Sequence, residues 1–258
     1  MQKTIESKNQ IDNSIYESLG ERWYTAFDDP VALLRAESKT KVPWVLEKMR
    51  SHFGRVQNLN HLDVGCGAGF LSNELARQGI QVTGLDISPE SLRVAANYDT
   101  TKSVKYLSGD AYQLPFESES FDSVSAMDFL EHVDDPSKAV NEIGRVLKPG
   151  GQFFFHTFNR NWLANIVIIR MVEKLVKNTP KNMHVIELFI TPEELTQMCK
   201  ISGMQVQAMT GIRPRFSTIT WSSVFTGVVP EKFSFKLTKS LKLSYMGCAL
   251  KQSAGMNL

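Results

Sequence analysis

Hydrophobic and polar positions along this chain switch between two periods. From His61 onward, short apolar runs alternate with stretches spaced as one face of a helix. Leu62–Val64, Val82–Leu85, the run ending at Ser108, Phe121–Met127 and Gln152–Phe158 read as strands. Phe70–Leu75 and Ala139–Leu147 read as helices, the latter closed by Lys148-Pro149-Gly150-Gly151. Such alternation predicts parallel strands joined by right-handed crossovers. Residues up to about Arg55 look helical, with Trp23, Tyr24 and Phe27 ahead of Asp28-Asp29-Pro30 and a second helix from Leu33. After Phe158 the alternation lapses until Thr191-Pro192-Glu193-Glu194, a capped helix start. Met204–Thr210 and Leu241–Lys251 then predict a closing antiparallel pair. The pattern divides the chain into a helical cap (1–55), an α/β core (56–158), an insertion (159–190) and a segment completing the core (191–258) with its own insertion at 211–236. The expected fold is α/β and Rossmann-like, a mostly parallel seven-stranded sheet with helices on both faces.

Bulk properties change this picture little. The 258 residues carry a net charge of +2, which gives no electrostatic footprint for nucleic acid. Cys66, Cys199 and Cys248 are widely spaced and follow no metal or redox motif, as expected of reduced thiols in the cytoplasm. The first twenty residues are polar and contain acids, unlike a secretory or organelle leader, and no apolar run is long enough to span a bilayer.

The candidate chemistry begins where the first strand ends. Leu62-Asp63-Val64-Gly65-Cys66-Gly67-Ala68-Gly69 sets three alternate glycines before a helix, so the backbone can turn sharply and approach a ligand. Asp86, ending the next strand, can accept both hydroxyls of a ribose. A dinucleotide site has G-x-G-x-x-G with pyrophosphate at the helix N-terminus; here the spacing is G-x-G-x-G and Asp63 precedes it. A carboxylate there repels pyrophosphate but suits an ammonium or sulfonium group, which S-adenosylmethionine carries. Asp110 follows the third strand, where the class I methyltransferases that this pattern resembles place an acid near the adenine amino group. Gly65, Gly67 and Gly69 with Asp63, Asp86 and Asp110 thus predict an S-adenosylmethionine site resembling motif I of the class I methyltransferases.

Beyond the fourth strand lies Asp128-Phe129-Leu130-Glu131-His132-Val133, where open α/β sheets bind ligands. On a helical turn, Asp128, Glu131 and His132 share a face and can hold a hard cation such as Mg²⁺, which would activate and orient a catechol oxygen. The alternative is a metal-free site in which Glu131 caps the turn and His132 is the catalytic base.

The chain resembles the ubiquinone-biosynthesis O-methyltransferases from about Arg22 to Lys251. The matching pieces are Arg22-Trp23-Tyr24, Leu62–Gly69, Val82–Asp86, Met127–Val133, Lys148–Gly151 and Thr157-Phe158-Asn159-Arg160-Asn161. The resemblance implies methylation of a hydroxyl on a polyprenylated phenol or catechol. It implies S-adenosylmethionine contacts from Arg35, Gly65, Asp86 and Met127, with Arg35 reaching the cofactor carboxylate. It also implies a metal on Asp128, Glu131 and His132, although that family generally has Glu where this chain has Asp128.

Substrates of that kind live in the bilayer. Residues 162–177 predict an amphipathic helix with Trp162 at one end and Arg170, Lys174 and Lys177 on its polar side, suited to a membrane surface. A lid packed over the substrate is the alternative. The expected setting is therefore cytoplasmic, peripheral to the inner membrane, with other quinone-biosynthesis enzymes as candidate partners. The alternative functions are a metal-independent methyltransferase acting on another small molecule and a cofactor-binding scaffold in such a complex.

Overall fold

The computed structural model describes residues 15–253 apart from 165, 168–175, 180–185 and 220. Short helices α1 (Ile15–Ser18) and α2 (Arg22–Thr25) precede the long α3 (Val31–Phe53). Then follow β1 (Asn60–Val64), α4 (Phe70–Arg77), β2 (Gln81–Asp86), α5 (Pro89–Tyr98), β3 (Lys105–Ser108) and β4 (Phe121–Met127). The chain continues through α6 (Pro136–Val146), β5 (Leu147–Phe158), α7 (Trp162–Ala164), α8 (Pro192–Ile201) and β6 (Met204–Pro214). It ends with α9 (Trp221–Thr226), β7 (Phe235–Thr238) and β8 (Ser244–Lys251).

The strands form one sheet in the order β3-β2-β1-β4-β5-β8-β6-β7. β1 to β5 are parallel, and β8 runs antiparallel between β5 and β6. The sheet has eight strands where seven were expected. β6 runs on to Pro214, and its exposed edge is paired by Phe235–Thr238 from the end of the 211–236 insertion, with Gly211 opposite Thr238. An unpaired edge leaves backbone groups without partners, and this short strand covers part of it. The Lys148–Gly151 segment is likewise more than a turn. Leu147 already pairs with Phe121, and the register then slips before Ser123 pairs with Gln152.

Alternation along β5 divides the core. Phe153 and Phe155 pack with Val140 and Ile143 of α6 and Leu195 of α8 on one face. Phe154 packs with Trp44, Val45 and Met49 of α3 and with Leu71 and Leu75 of α4 on the other. A central strand buried on both faces has no solvent side, which is why Phe153, Phe154 and Phe155 of β5 form a consecutive apolar run. The expected cap on α8 is present: the Thr191 hydroxyl accepts from the Glu194 N–H, and the Glu194 carboxylate accepts from the Thr191 N–H at 2.9 Å.

One polar chain crosses the buried sheet. Ser125 donates to Asp63 at 2.6 Å, so its oxygen accepts from His61 Nε2 at 2.9 Å, and His61 Nδ1 accepts from Ser123 at 2.8 Å. Burial holds the His61 imidazole down to about 3. The unfolded chain therefore takes up a proton below about pH 6.5 that the folded chain refuses, and stability falls as pH falls. Denaturant unfolding should show His61→Gln removing up to about 1.4 kcal/mol per pH unit of this dependence between about pH 6.5 and 4. Equal slopes in the two proteins would show that His61 is not held neutral.

Candidate active site

The glycine turn is held from below by β2. The Gly65 and Cys66 N–H groups both donate to the Leu85 carbonyl, at 2.8 and 3.1 Å, and the Gly67 N–H donates to Asp86 Oδ2 at 2.8 Å. Gly65 has φ +68°, and a Cβ there would lie 2.2 Å from the Phe129 ring. Gly69, at φ +78°, opens α4, and a Cβ there would strike the Tyr106 hydroxyl at 2.4 Å. Side chains are excluded at these two positions both by backbone conformation and by space.

Above the turn is a cavity of about 590 Å³ whose lining includes Asp63, Gly65, Gly67, Asp86, Asp110 and Met127. Each acid stands differently. Asp63 is buried with both oxygens engaged, by Ser125 and by Ser72 at 2.7 Å, and desolvation raises its carboxyl to about 6. Asp86 also accepts from the Ser88 N–H at 2.9 Å, and burial raises its pKa. Asp110 is exposed and accepts from the Tyr112 N–H at 2.8 Å. Trp23 lies over Gly67, stacked on Tyr16, and among the described residues its buried Nε1 has no hydrogen-bond partner.

Arg35 departs from expectation. Its guanidinium donates to the carbonyls of Trp23 at 2.8 Å and Ala26 at 2.5 Å and lies over the Phe27 ring. It is absent from the lining of this cavity. Arg35 ties the Trp23 segment to α3, because the α3 face that carries it looks toward those carbonyls.

A second, mostly apolar chamber of about 170 Å³ adjoins the first, walled by residues such as Leu33, Phe158, Ile212, Phe216, Phe233 and Phe235. Tyr16, Leu34, Asp128 and His132 line both chambers. His132 presents its ring edge-on to Tyr16, with centroids 5.9 Å apart, and burial lowers its imidazole to about 4. Tyr16, Leu34 and most walls of the apolar chamber, such as Leu33, Ile212, Phe216, Phe233 and Phe235, come from segments that carry no site motif in the sequence.

The methyltransferase domain profile matches residues 62–155. The ubiquinone biosynthesis O-methyltransferase of Aeromonas salmonicida (strain A449) is 32% identical over 237 residues, covering 90% of this chain and 90% of that protein. That of Coxiella burnetii (strain RSA 331 / Henzerling II) is 34% identical over 189 residues, covering 72% and 75%. The chain belongs to the ubiquinone biosynthesis O-methyltransferase family.

Solved structures show the same fold at low identity. The magnesium protoporphyrin IX methyltransferase from Synechocystis PCC 6803 superposes with a TM-score of 0.57 at 17% identity, covering 82% of each chain. A SAM-dependent methyltransferase from Methanosarcina mazei gives 0.54 at 23% identity, covering 78% of this chain and 97% of that one. This family member is an S-adenosylmethionine-dependent O-methyltransferase. The cofactor suits the cavity: Gly65 and Gly67 leave room for its close approach, and the lining acids Asp63, Asp86 and Asp110 suit a ligand without phosphate.

The ligand set expected for a metal does not come together. Asp128 has φ +53°, and its carboxylate turns to Lys41 Nζ, at 2.7 and 2.5 Å, and to His156 Nδ1 at 2.5 Å. Glu131 turns instead to Thr157, whose hydroxyl donates at 2.8 Å, and burial raises its carboxyl to about 8. Among the described residues, the ligand-type atoms that do converge, within 4.8 Å of one another, belong to Glu37, Asp128 and His156. Lys41 Nζ stands among them, 2.9 Å from Glu37. Instead of Asp128, Glu131 and His132, the structure brings Glu37, Asp128 and His156 together, with the Lys41 ammonium paired to both carboxylates. Glu37–Lys41 reads in sequence as an ordinary helix-surface pair. His156 carried a usable signal, a polar residue inside the most buried strand.

Asp86 positions the turn and faces the cavity together. Asp86→Ala should weaken S-adenosylmethionine binding roughly 10- to 100-fold, the range of a charged hydrogen bond, by titration calorimetry. An unchanged Kd would remove Asp86 from the cofactor site.

Proposed function

We propose that the two chambers separate the reactants, with S-adenosylmethionine in the larger cavity and the apolar acceptor of a lipophilic phenol or catechol in the smaller one. The reaction is methyl transfer to a ring hydroxyl in ubiquinone biosynthesis. The observation that carries this reading is the shared wall of Tyr16, Leu34, Asp128 and His132, which among the described residues borders both chambers. S-adenosylmethionine supplies an electrophilic methyl group when bound.

His132 is the proposed base. Its buried imidazole is neutral at physiological pH and so can accept the hydroxyl proton as the oxygen attacks. Asp63, Asp86 and the glycine turn hold the cofactor side, while the apolar walls exclude water and orient the acceptor. Positioning of this kind is a large part of the barrier reduction in a two-substrate transfer. Metal assistance, which the family resemblance implies, forms no part of this reading, since Lys41 holds the place of the ion.

Membrane contact is proposed for the face around the smaller chamber. Trp221 and Phe225 of α9 are 82% and 81% exposed with their rings 6.5 Å apart, and Trp162 is also exposed. Phe216 and Ser223 beside them line the apolar chamber. Among the described residues no helix is long and apolar enough to cross a membrane; most of the 162–177 segment lies outside them.

His132→Asn should lower kcat about 10²- to 10⁴-fold on a short-chain prenylated catechol while S-adenosylmethionine affinity is retained. In the wild type, the acid limb of kcat/KM should fall near pH 4, since the imidazole must be unprotonated to act. A limb near pH 6.5, or full activity in the variant, would reject His132 as the base. In vesicle sedimentation with phosphatidylcholine and phosphatidylglycerol, the Trp221→Ser/Phe225→Ser double variant should lose bound fraction without loss of cofactor binding. Undiminished binding would move the membrane contact elsewhere.

A further inference from the structure

The cluster behind the shared wall has its own logic. Lys41 is only 4% exposed, and its ammonium makes contacts with three carboxylate oxygens, two of Asp128 and one of Glu37. His156 closes the ring, with Nδ1 on Asp128 and Nε2 3.5 Å from the second Glu37 oxygen. Three elements meet here: α3 through Glu37 and Lys41, the end of β4 through Asp128, and β5 through His156. Lys41 and Asp128 face the cofactor chamber, and Asp128 and Glu37 face the apolar one.

Burial alone would discharge both partners, but each holds the other charged. Desolvation lowers the Lys41 pKa and raises that of Asp128; the mutual attraction, with Glu37 and His156, outweighs it in both cases. Magnesium needs oxygen ligands in a near-octahedral shell at about 2.0–2.1 Å. The oxygens that could supply them are taken by an ammonium from which a dication would be repelled.

We infer that Lys41 is the resident cation of this active site, so that the enzyme works without a divalent metal, and that removing its amine turns Glu37, Asp128 and His156 into a divalent-cation site. Lys41 is a positioning residue: its charge fixes Asp128, and through it the wall that carries His132. The inference deepens the methyltransferase reading and rests on it only for turnover.

Two measurements on the intact protein test it. Turnover of S-adenosylmethionine with a catechol should be unchanged, within about twofold, after dialysis against EDTA and after later addition of Mg²⁺; the electrostatic term is already built in. Mn²⁺ titration followed by electron paramagnetic resonance should leave the free-ion signal undiminished with the wild type. The same titration should show one bound ion per chain in Lys41→Ala, lost again in Lys41→Ala/Asp128→Asn. Thermal melting should show Lys41→Ala stabilised by Mn²⁺, and Lys41→Arg, which keeps the charge, indifferent to it. Should Lys41→Ala fold only when Mn²⁺ is present, the inference is supported, because the ion then replaces the ammonium.

Wild-type protein that binds Mn²⁺ through Asp128, turnover that needs Mg²⁺, or Lys41→Ala that gains no ion would each overturn it. Absence of turnover in every condition, with cofactor bound and Mn²⁺ ignored by the wild type, would instead overturn the acceptor assignment and leave the resident cation standing.

Discussion

Asp128 is the point at which the site is tied to the fold. Its carboxylate lies between the ammonium of Lys41 and the ring of His156, and its backbone is in the left-handed region, which short polar side chains tolerate better than most. That conformation reverses the chain directly after β4 and sends Phe129 over Gly65 and His132 to the seam between the chambers. A buried pair of this type contributes little net stability against an apolar replacement, but losing one partner costs about 3–5 kcal/mol. The cluster is therefore better understood as fixing geometry than as strengthening the core.

Everything on the cofactor side follows from a different constraint, the closeness of the glycine turn to its neighbours. β2 supplies Leu85 and Asp86 to hold the turn, Phe129 fills the space above Gly65, and Tyr106 that above Gly69. Arg35, by binding the carbonyls of Trp23 and Ala26, brings an aromatic lid from the N-terminal helices down onto this surface. The two chambers are thus walled by separate parts of the chain that meet at Tyr16, Leu34, Asp128 and His132. Burial at that seam lowers the His132 pKa and so keeps its imidazole uncharged.

Family membership and local chemistry give different information here. The relatives establish the fold and the reaction type. The pairing of Lys41 with Asp128 belongs to this chain's own side chains, at a position where the resemblance leads one to expect a longer acid and an ion. A shorter carboxylate beside a buried ammonium is a self-consistent alternative, because a buried charge needs a partner and either cation provides it.

By itself the sequence determined the sheet and the cofactor turn. Short apolar runs, glycines that only a close approach explains and carboxylates at strand ends are local signals, each set by residues a few positions apart. They were enough for β1 to β5, for Asp63, Asp86 and Asp110 around the cavity, and for His132 at the seam between the two chambers. Tertiary structure decided the rest, since those features depend on residues far apart in the chain. The eighth strand exists because Phe235–Thr238 finds the edge of β6. Arg35 faces carbonyls rather than the cavity because of where α3 lies. Glu37, Lys41 and His156 converge on Asp128 from helix and strand across 87 and 28 residues of sequence, and no periodicity records which cation a carboxylate will meet once the chain is folded.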